Sequence, residues 1–539
     1  MSLYLGLDSS TQSLSAILLE VDGSRRRVAF ESSIAFDETF PHYGTRHGVL
    51  PSDDPTVATS PPLLWVEALE LMMQRLQRSG LDLSQLAAIS GSAQQHGSVY
   101  LNAGASSALA NFDPSRPLAE QVKPLLSWEV APIWMDSSTS SECAEIERAV
   151  GGERTLAERT GSRAFERFTA AQIRKLSKRD AATYRSTDRI HLVSSFLASL
   201  LTGRHAPLDP GDGSGMNLMD LATCQWWQPA VDSTAPALAS KLPPIARPSS
   251  VVGTLSGYWQ SRFGLPAAKV VAWSGDNPCS LVGVGLVREG RLAISMGTSD
   301  TVFGLMREPR VDATGTGHVF GAPTGDYMGL TCFKNGSLAR ERVRDEFGLS
   351  WPTFSETLRR TPPGNGGRIM LPWFEPEITP TVLAPGARRY GLDPGDADGN
   401  VRAVVEGQQL AMALHSRWMN VKVDSIHATG GAAANRDILQ VMADVFGAAV
   451  YQLQVGNSAA LGAALQAFHG AIVSDSGRMS WEEVVKDFVE PLADSKLSPD
   501  PARQAIYDDL INLYAACEAH ALGKGPEPSE RLTAFAAGL

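Results

Sequence analysis

The chain has 539 residues, 43% of them hydrophobic and 19% charged, which is more than one packed core holds, because single cores stop growing at about 250 to 300 residues. Its 58 acidic side chains outnumber 47 basic ones, and the resulting charge of -11 leaves no electrostatic footprint for nucleic acid. Five widely spaced cysteines (Cys143, Cys224, Cys279, Cys332 and Cys517) exclude a paired-cysteine metal site and a disulfide framework. No apolar run approaches the roughly 20 residues of a membrane span, and the first residues enter a strand without a secretory pattern, so the chain reads as cytoplasmic.

Residues 3–7, 14–21 and 28–36 read as three consecutive strands, with Arg25-Arg26-Arg27 expected at a solvated hairpin tip. Ser60 reads as the N-cap of a helix with Pro61 and Pro62 in its first turn, Trp65, Leu69, Met72 and Leu76 at helical spacing, and Gly80 beyond its end. A short strand follows at 86–90. Residues 102–131 read as a surface loop, 169–200 as largely helical, and 206–217 as an irregular loop. After the apolar Val270-Val271-Ala272-Trp273, a helix of small residues runs from Pro278 to Val287. The second half holds a hairpin from Gly290, helices over 337–347 and 401–421, a Gly- and Pro-rich stretch over 362–400, a strand at 426–429 and a helix over 435–446. Strands followed by alternating helices and strands give a mixed α/β layout with a boundary near 285–290.

One pattern occurs twice, about half the chain apart. Leu3 to Leu7 runs into Asp8-Ser9-Ser10-Thr11-Gln12-Ser13 and resumes as Leu14 to Val21; Arg291 to Met296 runs into Gly297-Thr298-Ser299-Asp300 and resumes as Thr301 to Met306. Two strand-turn-strand units with small hydroxyl residues at the bend offer backbone N–H and hydroxyl donors to an anion. A nucleotide between two similar lobes follows, with Thr11, Gln12, Ser13, Gly297, Thr298 and Ser299 as phosphate-binding candidates. Asp8 is placed to hold Mg²⁺, the bland alternative being an Asx-turn. Ile426 to Thr429 running into Gly430-Gly431, with a helix from Asn435, is a further way to bring backbone donors to a nucleotide.

Three further groups carry chemistry. Asp276, at a strand end beside Asn277, is a candidate general base for phosphoryl transfer; the alternative is an N-cap for the helix at Pro278. Gln95 and His96, inside the glycine-bracketed Gly91 to Gly97, suit a polyol whose hydroxyls need donors and acceptors. Arg163 and Arg167 are four apart, and a helix there would put them on one face with Glu166 available to pair. Trp134 and Asp136 fall in a short polar-aromatic segment. No Gly-Lys-Ser/Thr phosphate loop is present.

Taken in order, these motifs resemble the FGGY carbohydrate kinases of the actin-like ATPase superfamily, and the resemblance runs from Asp8 through Asp276-Asn277 to Gly430-Gly431-Ala432 and Asn435. Gln94 to Ser98, Gly161 to Phe168, Asp212 to Asn217 and Phe333 to Ser337 are similar to its xylulose-phosphorylating branch. The resemblance implies an α/β fold of two duplicated, ribonuclease H-like lobes with a cleft between them, divided as 1–287 for the sugar and 288–539 for the nucleotide. It implies ATP with Mg²⁺, and D-xylulose as the favoured acceptor. Asp276 would be the catalytic base; Gln95, His96, Asn277 and an arginine, Arg167 in preference to Arg163, would hold the sugar. Asp8 and Asp276 would orient the metal. Gly430, Gly431, Ala432, Asn435 and Trp351 would lie along the adenosine. Two positions depart from the pattern: Ser10-Thr11 stands where many members have Gly-Thr, and Gln95 where bacterial members often have Met. Other acceptors (ribulose, a hexulose, glycerol) and a non-kinase actin-like switch are the alternatives. The expected partners are ATP and a small-molecule sugar, without nucleic acid or membrane, in a monomer or homodimer.

Overall fold

The computed structural model describes residues 1–453 and 456–538. Its frame is two mixed sheets of the same topology. In the first, β1 (Ser2–Ser9), β2 (Ser13–Asp22) and β3 (Arg25–Ala35) form an antiparallel meander, and β4 (Leu86–Ala93) and β5 (Lys269–Val271) extend it in parallel on the other side of β1. In the second, β6 (Arg291–Met296), β7 (Asp300–Met306) and β8 (Tyr327–Phe333) form the meander, and β9 (Ser425–Thr429) and β10 (Ala449–Gln452) the parallel extension. The orders β3-β2-β1-β4-β5 and β8-β7-β6-β9-β10 correspond strand for strand in sequence and direction, which is the duplicated actin-like architecture. An edge strand completes each sheet, Val251–Thr254 beside β5 and His318–Gly321 beside β8.

The two bends differ in length. Ser9 pairs with Leu14 across the first, but Met296 pairs with Asp300 across the second, which is one residue tighter. Ser10 keeps φ out of the left-handed region, so its side chain costs the bend nothing, and its hydroxyl and N–H both bond Ser13.

The halves are joined by helices that nearly touch backbone to backbone. Helix Ser458–Ser476, apolar on every side and buried through most of its length, lies on the first sheet although its sequence belongs to the second half. Gly6 in β1 admits it: a Cβ there would come within 2.2 Å of the Ala460 carbonyl oxygen. Helix Asp276–Gly283 crosses it where a Cβ on Gly283 would meet the Ser458 oxygen at 1.9 Å and one on Gly462 the Cys279 oxygen at 1.8 Å. Leu281, Val282, Ala460, Ala464 and Phe468 share one apolar cluster with Tyr4 of the first sheet and Ala293 and Met328 of the second.

Several segments differ from the sequence expectation. Ser60 lies in a short strand and donates to the Gly48 carbonyl, so Pro61, not Ser60, is the N-cap of helix Pro62–Gln77. Residues 102–131 contain helices Ala105–Ala110 and Leu118–Val122. Thr187–Leu192 is a strand paired with Ser98–Asn102, and of the helically spaced Leu192, Phe196 and Leu200 only the last two lie in helix Val193–Thr202, with Leu192 as its extended N-cap. The glycine-dense 206–217 holds a buried helix, Pro210–Ser214, capped by Asp209 accepting from the Asp212 N–H at 2.9 Å. Arg26 leaves the hairpin tip: it lies 5.5 Å from the centroid of the Phe468 ring and donates to the Glu483 and Lys486 carbonyls.

Candidate active site

Register brings two carboxylates to one end of the first sheet. β4 pairs Ser92 with Asp8 on one side and with Ser274 on the other, so Asp8 and the residues leading into Asp276 are two strands apart, about 10 Å between backbones. Asp8 accepts from the Ser92 hydroxyl at 2.8 Å and makes no Asx-turn. Asp276 is the first residue of its helix and does not cap it; Gly275 does. The Asp276 carboxylate accepts from the Asn277 N–H at 2.9 Å and its amide at 3.2 Å. Burial, then the negative charge of Asp8, pushes Asp276 up to about 7, and burial opposed by the Ser92 bond puts Asp8 at about 6. Two carboxyls with so little compensation suit a divalent cation.

Beside them is the turn that carries Gln95 and His96. His96 holds a left-handed conformation, φ 72°, a strained choice for a non-glycine residue that this packing over-determines. Its Nδ1–H donates to the Gly215 carbonyl at 2.7 Å and its ring stacks on Phe168 with centroids 4.3 Å apart. That bond leaves Nε2 as an acceptor, and burial, with the Arg167 charge, lowers its pKa to about 3, so the ring stays neutral. Gln95 is a bracket: its carbonyl oxygen accepts from the Asn277 amide at 2.9 Å and its amide donates to the Gly211 carbonyl. Helix Pro210–Ser214 and Gly215 thus back both turn residues.

The arginines separate. The segment 161–168 is not helical, because Gly161 (φ 93°) ends helix Glu153–Thr160 as its C-cap, and Glu166 bonds Ser140, not either arginine. Both guanidinium groups lie over Phe165, at 4.8 Å and 4.9 Å. Arg163 turns toward Gly315 and lines a separate small cavity with Glu158 and Thr314. Arg167 turns to Phe168, under His96, and donates to His318 Nε2 at 3.1 Å. His318 was not legible in the sequence.

In the first bend, Thr11 Oγ1 accepts from the Trp134 indole at 2.8 Å, the Gln12 carbonyl accepts from Phe36, and Ser13 is tied to Ser10. Of that bend's three candidates, only the exposed Gln12 side chain bonds no described residue. The Thr298 and Ser299 hydroxyls in the second bend likewise bond no described residue. A cavity of about 740 Å³ opens from this bend and brings together Gly297, Thr298, Trp351, Gly431, Ala432 and Asn435. Gly430 stands behind it with φ 85°, where a Cβ would meet the Met296 carbonyl oxygen at 2.5 Å. Asn435 caps helix Arg436–Phe446 by accepting from the Asp437 and Ile438 N–H groups and donates to Ser355 at 2.7 Å, so it shapes the wall and keeps one of its two amide N–H groups. Trp351 is 39% exposed at the rim, with the Arg344 guanidinium 4.6 Å from its ring centroid. Glu341, Ser355 and Arg436 also line this cavity, and no motif had marked them.

A cavity of nucleotide size on one sheet and, on the other, a polar turn of Gln95 and His96 beside two carboxyls are what a small-molecule phosphotransferase of the actin-like fold requires. Comparison with known proteins places the chain more narrowly. Residues 117–283 match the N-terminal domain and 292–471 the C-terminal domain of the FGGY family of carbohydrate kinases. The xylulose kinase of Rattus norvegicus is 43% identical over 540 residues, covering 98% of each chain. The chain belongs to the FGGY carbohydrate kinases. Among solved structures, xylulose kinase from Rhodospirillum rubrum superimposes with TM-score 0.79 at 20% identity, covering 96% of this chain and 99% of its own. Gluconate kinase from Lactobacillus acidophilus gives 0.78 at 20%, covering 97% and 98%, so the fold alone does not separate acceptors.

Proposed function

We propose that the protein transfers the γ-phosphoryl group of ATP to the 5-hydroxyl of D-xylulose, with residues 1–287 holding the sugar and 288–539 the nucleotide, in the cytoplasm, as a monomer or homodimer. The observation that carries the chemistry is the register of β4, which brings Asp8 and the strand end leading into Asp276 together beside the Gln95-His96 turn, where Asn277 bonds Gln95. The choice of acceptor is supported by the full-length similarity to the rat xylulose kinase.

In this reading the sugar hydroxyls donate to His96 Nε2 and to Asn277 Oδ1, whose amide N–H groups are already given to Gln95 and Asp276, and accept from Arg167. Gln95 holds Asn277 in place. The 5-hydroxyl faces Asp276, which takes its proton as the O–P bond forms and ADP departs. The transition state is loose, so positioning contributes more than basicity. Thr298 and Ser299 donate to the phosphates with the backbone of both bends, and adenosine occupies the cavity between Trp351 and Gly431-Ala432. Asp8 and Asp276 would hold Mg²⁺, which would supply charge neutralisation at the phosphates. Among the described residues no group of three or more His, Cys, Asp or Glu stands ready for a metal; magnesium commonly takes only one or two carboxylates, with phosphate and water completing its shell.

The test is ADP release across D-xylulose, D-ribulose, L-ribulose, glycerol and gluconate. D-xylulose should give the highest kcat/KM. Stimulation by another acceptor above D-xylulose, or by none, contradicts the assignment.

A further inference from the structure

The residue that fixes the sugar-site arginine comes from the other half of the molecule. His318 opens the edge strand His318–Gly321 of the second sheet and is 2% exposed. Its Nε2 lies 3.1 Å from Arg167 Nη2 and its Nδ1 lies 3.0 Å from the Ser162 hydroxyl. A guanidinium can only donate, so Nε2 accepts, the ring proton sits on Nδ1, and Ser162 receives it. Both ring nitrogens are thereby assigned.

Arg167 has few other anchors. Its guanidinium lies over Phe165 and Phe168, and no carboxylate among the described residues bonds it. Aromatic faces hold a cation at a height but leave it free to slide. The hydrogen bond to His318 supplies the missing constraint, and it leaves the other N–H groups for a ligand. The strand itself is pinned at two points. The Val319 N–H donates to the Gly161 carbonyl at 2.9 Å, and the Gly321 N–H to the Ser214 hydroxyl at 3.0 Å, within the helix whose following carbonyl, Gly215, holds His96.

We propose that His318 is a positioning residue for the sugar: by accepting from Arg167 it fixes the guanidinium against the ketose, so that sugar binding depends on how the second sheet's edge strand is seated. This rests on the reading of Arg167 as a sugar ligand. It predicts that ketose affinity senses the second unit before any nucleotide binds.

The test substitutes His318→Phe, which keeps a ring and removes both nitrogens, and His318→Gln, whose carbonyl oxygen can accept from Arg167. His318→Phe should raise the ketose KM by about tenfold or more, the usual weight of a hydrogen bond to a charged group. The KM for ATP should stay within about twofold, and His318→Gln should recover most of the loss. In the sugar-free enzyme, phenylglyoxal labelling of Arg167, read by mass spectrometry, should accelerate several-fold in His318→Phe. If His318→Phe does not fold, Ser162→Ala, which removes the partner of Nδ1, should give a smaller rise in ketose KM in the same direction. Unchanged ketose KM in the folded variants overturns the proposal. Faster labelling with unchanged KM also overturns it, by showing that the fixed arginine does not serve the sugar. Should no sugar stimulate the wild type, the functional reading falls, and an unchanged labelling rate would then overturn the positioning role independently.

Discussion

Asp276 and His96 have opposite protonation problems solved by the same burial. Burial raises the carboxyl toward 7 and lowers the imidazole toward 3, so near neutrality one can take a proton and the other, its Nδ1–H given to Gly215, offers Nε2 as an acceptor. Asp276→Ala should lower kcat by about 10²–10⁴-fold, the range of general-base removal, while calorimetry still detects ATP binding. The raised pKa also has a stability signature. A carboxyl whose folded-state pKa exceeds its unfolded value of about 4 binds more protons when folded. Its stabilising contribution is therefore complete below about pH 4 and lost as pH rises through 7. In metal-free buffer Asp276→Asn, which stays neutral, should melt above wild type at pH 8, and the gap should close toward pH 5. Equal melting temperatures at pH 8 would mean the Asp276 carboxylate is not penalised by its surroundings.

Helix Pro210–Ser214 is the element on which the sugar site leans. Its Asp212 accepts from Ser194 through Oδ2 while the buried Oδ1 has no described partner, and burial, with Asp209 and Asp276 nearby, pushes its pKa well above the usual carboxylate range. A neutral acid resembles an amide in shape. Asp212→Asn should keep the ketose KM within about threefold, whereas Asp212→Ala, which strands the Ser194 hydroxyl, should destabilise by about 1–3 kcal/mol and raise the ketose KM, as denaturant melts and steady-state kinetics would record. This helix also shows where sequence reasoning stops. Its glycines suggest a loop, yet Asp209 caps the helix and Pro210 opens its first turn. The paired bends, Asp276 and the Gln95-His96 turn were legible because each interrupts an apolar strand with polar residues adjacent in sequence. His318 was not, since its partner Arg167 is 151 positions away and nothing in the edge strand's own pattern marks it. Thr187–Leu192 failed for a related reason: its pairing with Ser98–Asn102 is tertiary, while the helix after it supplied the stronger local signal.

At the scale of the whole molecule, the proposed function gives the duplicated sheets unequal roles, and helices 276–283 and 458–476 cross where the halves join. Asp276 begins one of those helices, so the proposed base is carried on an element whose close approach at Gly283 and Gly462 leaves no room for a side chain. Gly462→Ala has no room for its methyl beside the Cys279 carbonyl. It should cost about 1–3 kcal/mol in a denaturant melt and lower kcat with little change in either KM. Gly257→Ala, which meets open space at an ordinary φ, should leave both unchanged. A loss of stability without loss of kcat in Gly462→Ala would uncouple the crossing from catalysis. The central claim is the transfer itself, and ³¹P NMR of the protein with Mg-ATP and D-xylulose tests it most directly. The account predicts ADP and a phosphate monoester on the sugar's 5-oxygen appearing in equal amounts, with Asp276→Ala nearly silent; ADP with free inorganic phosphate and no sugar ester, or full activity in Asp276→Ala, would contradict it.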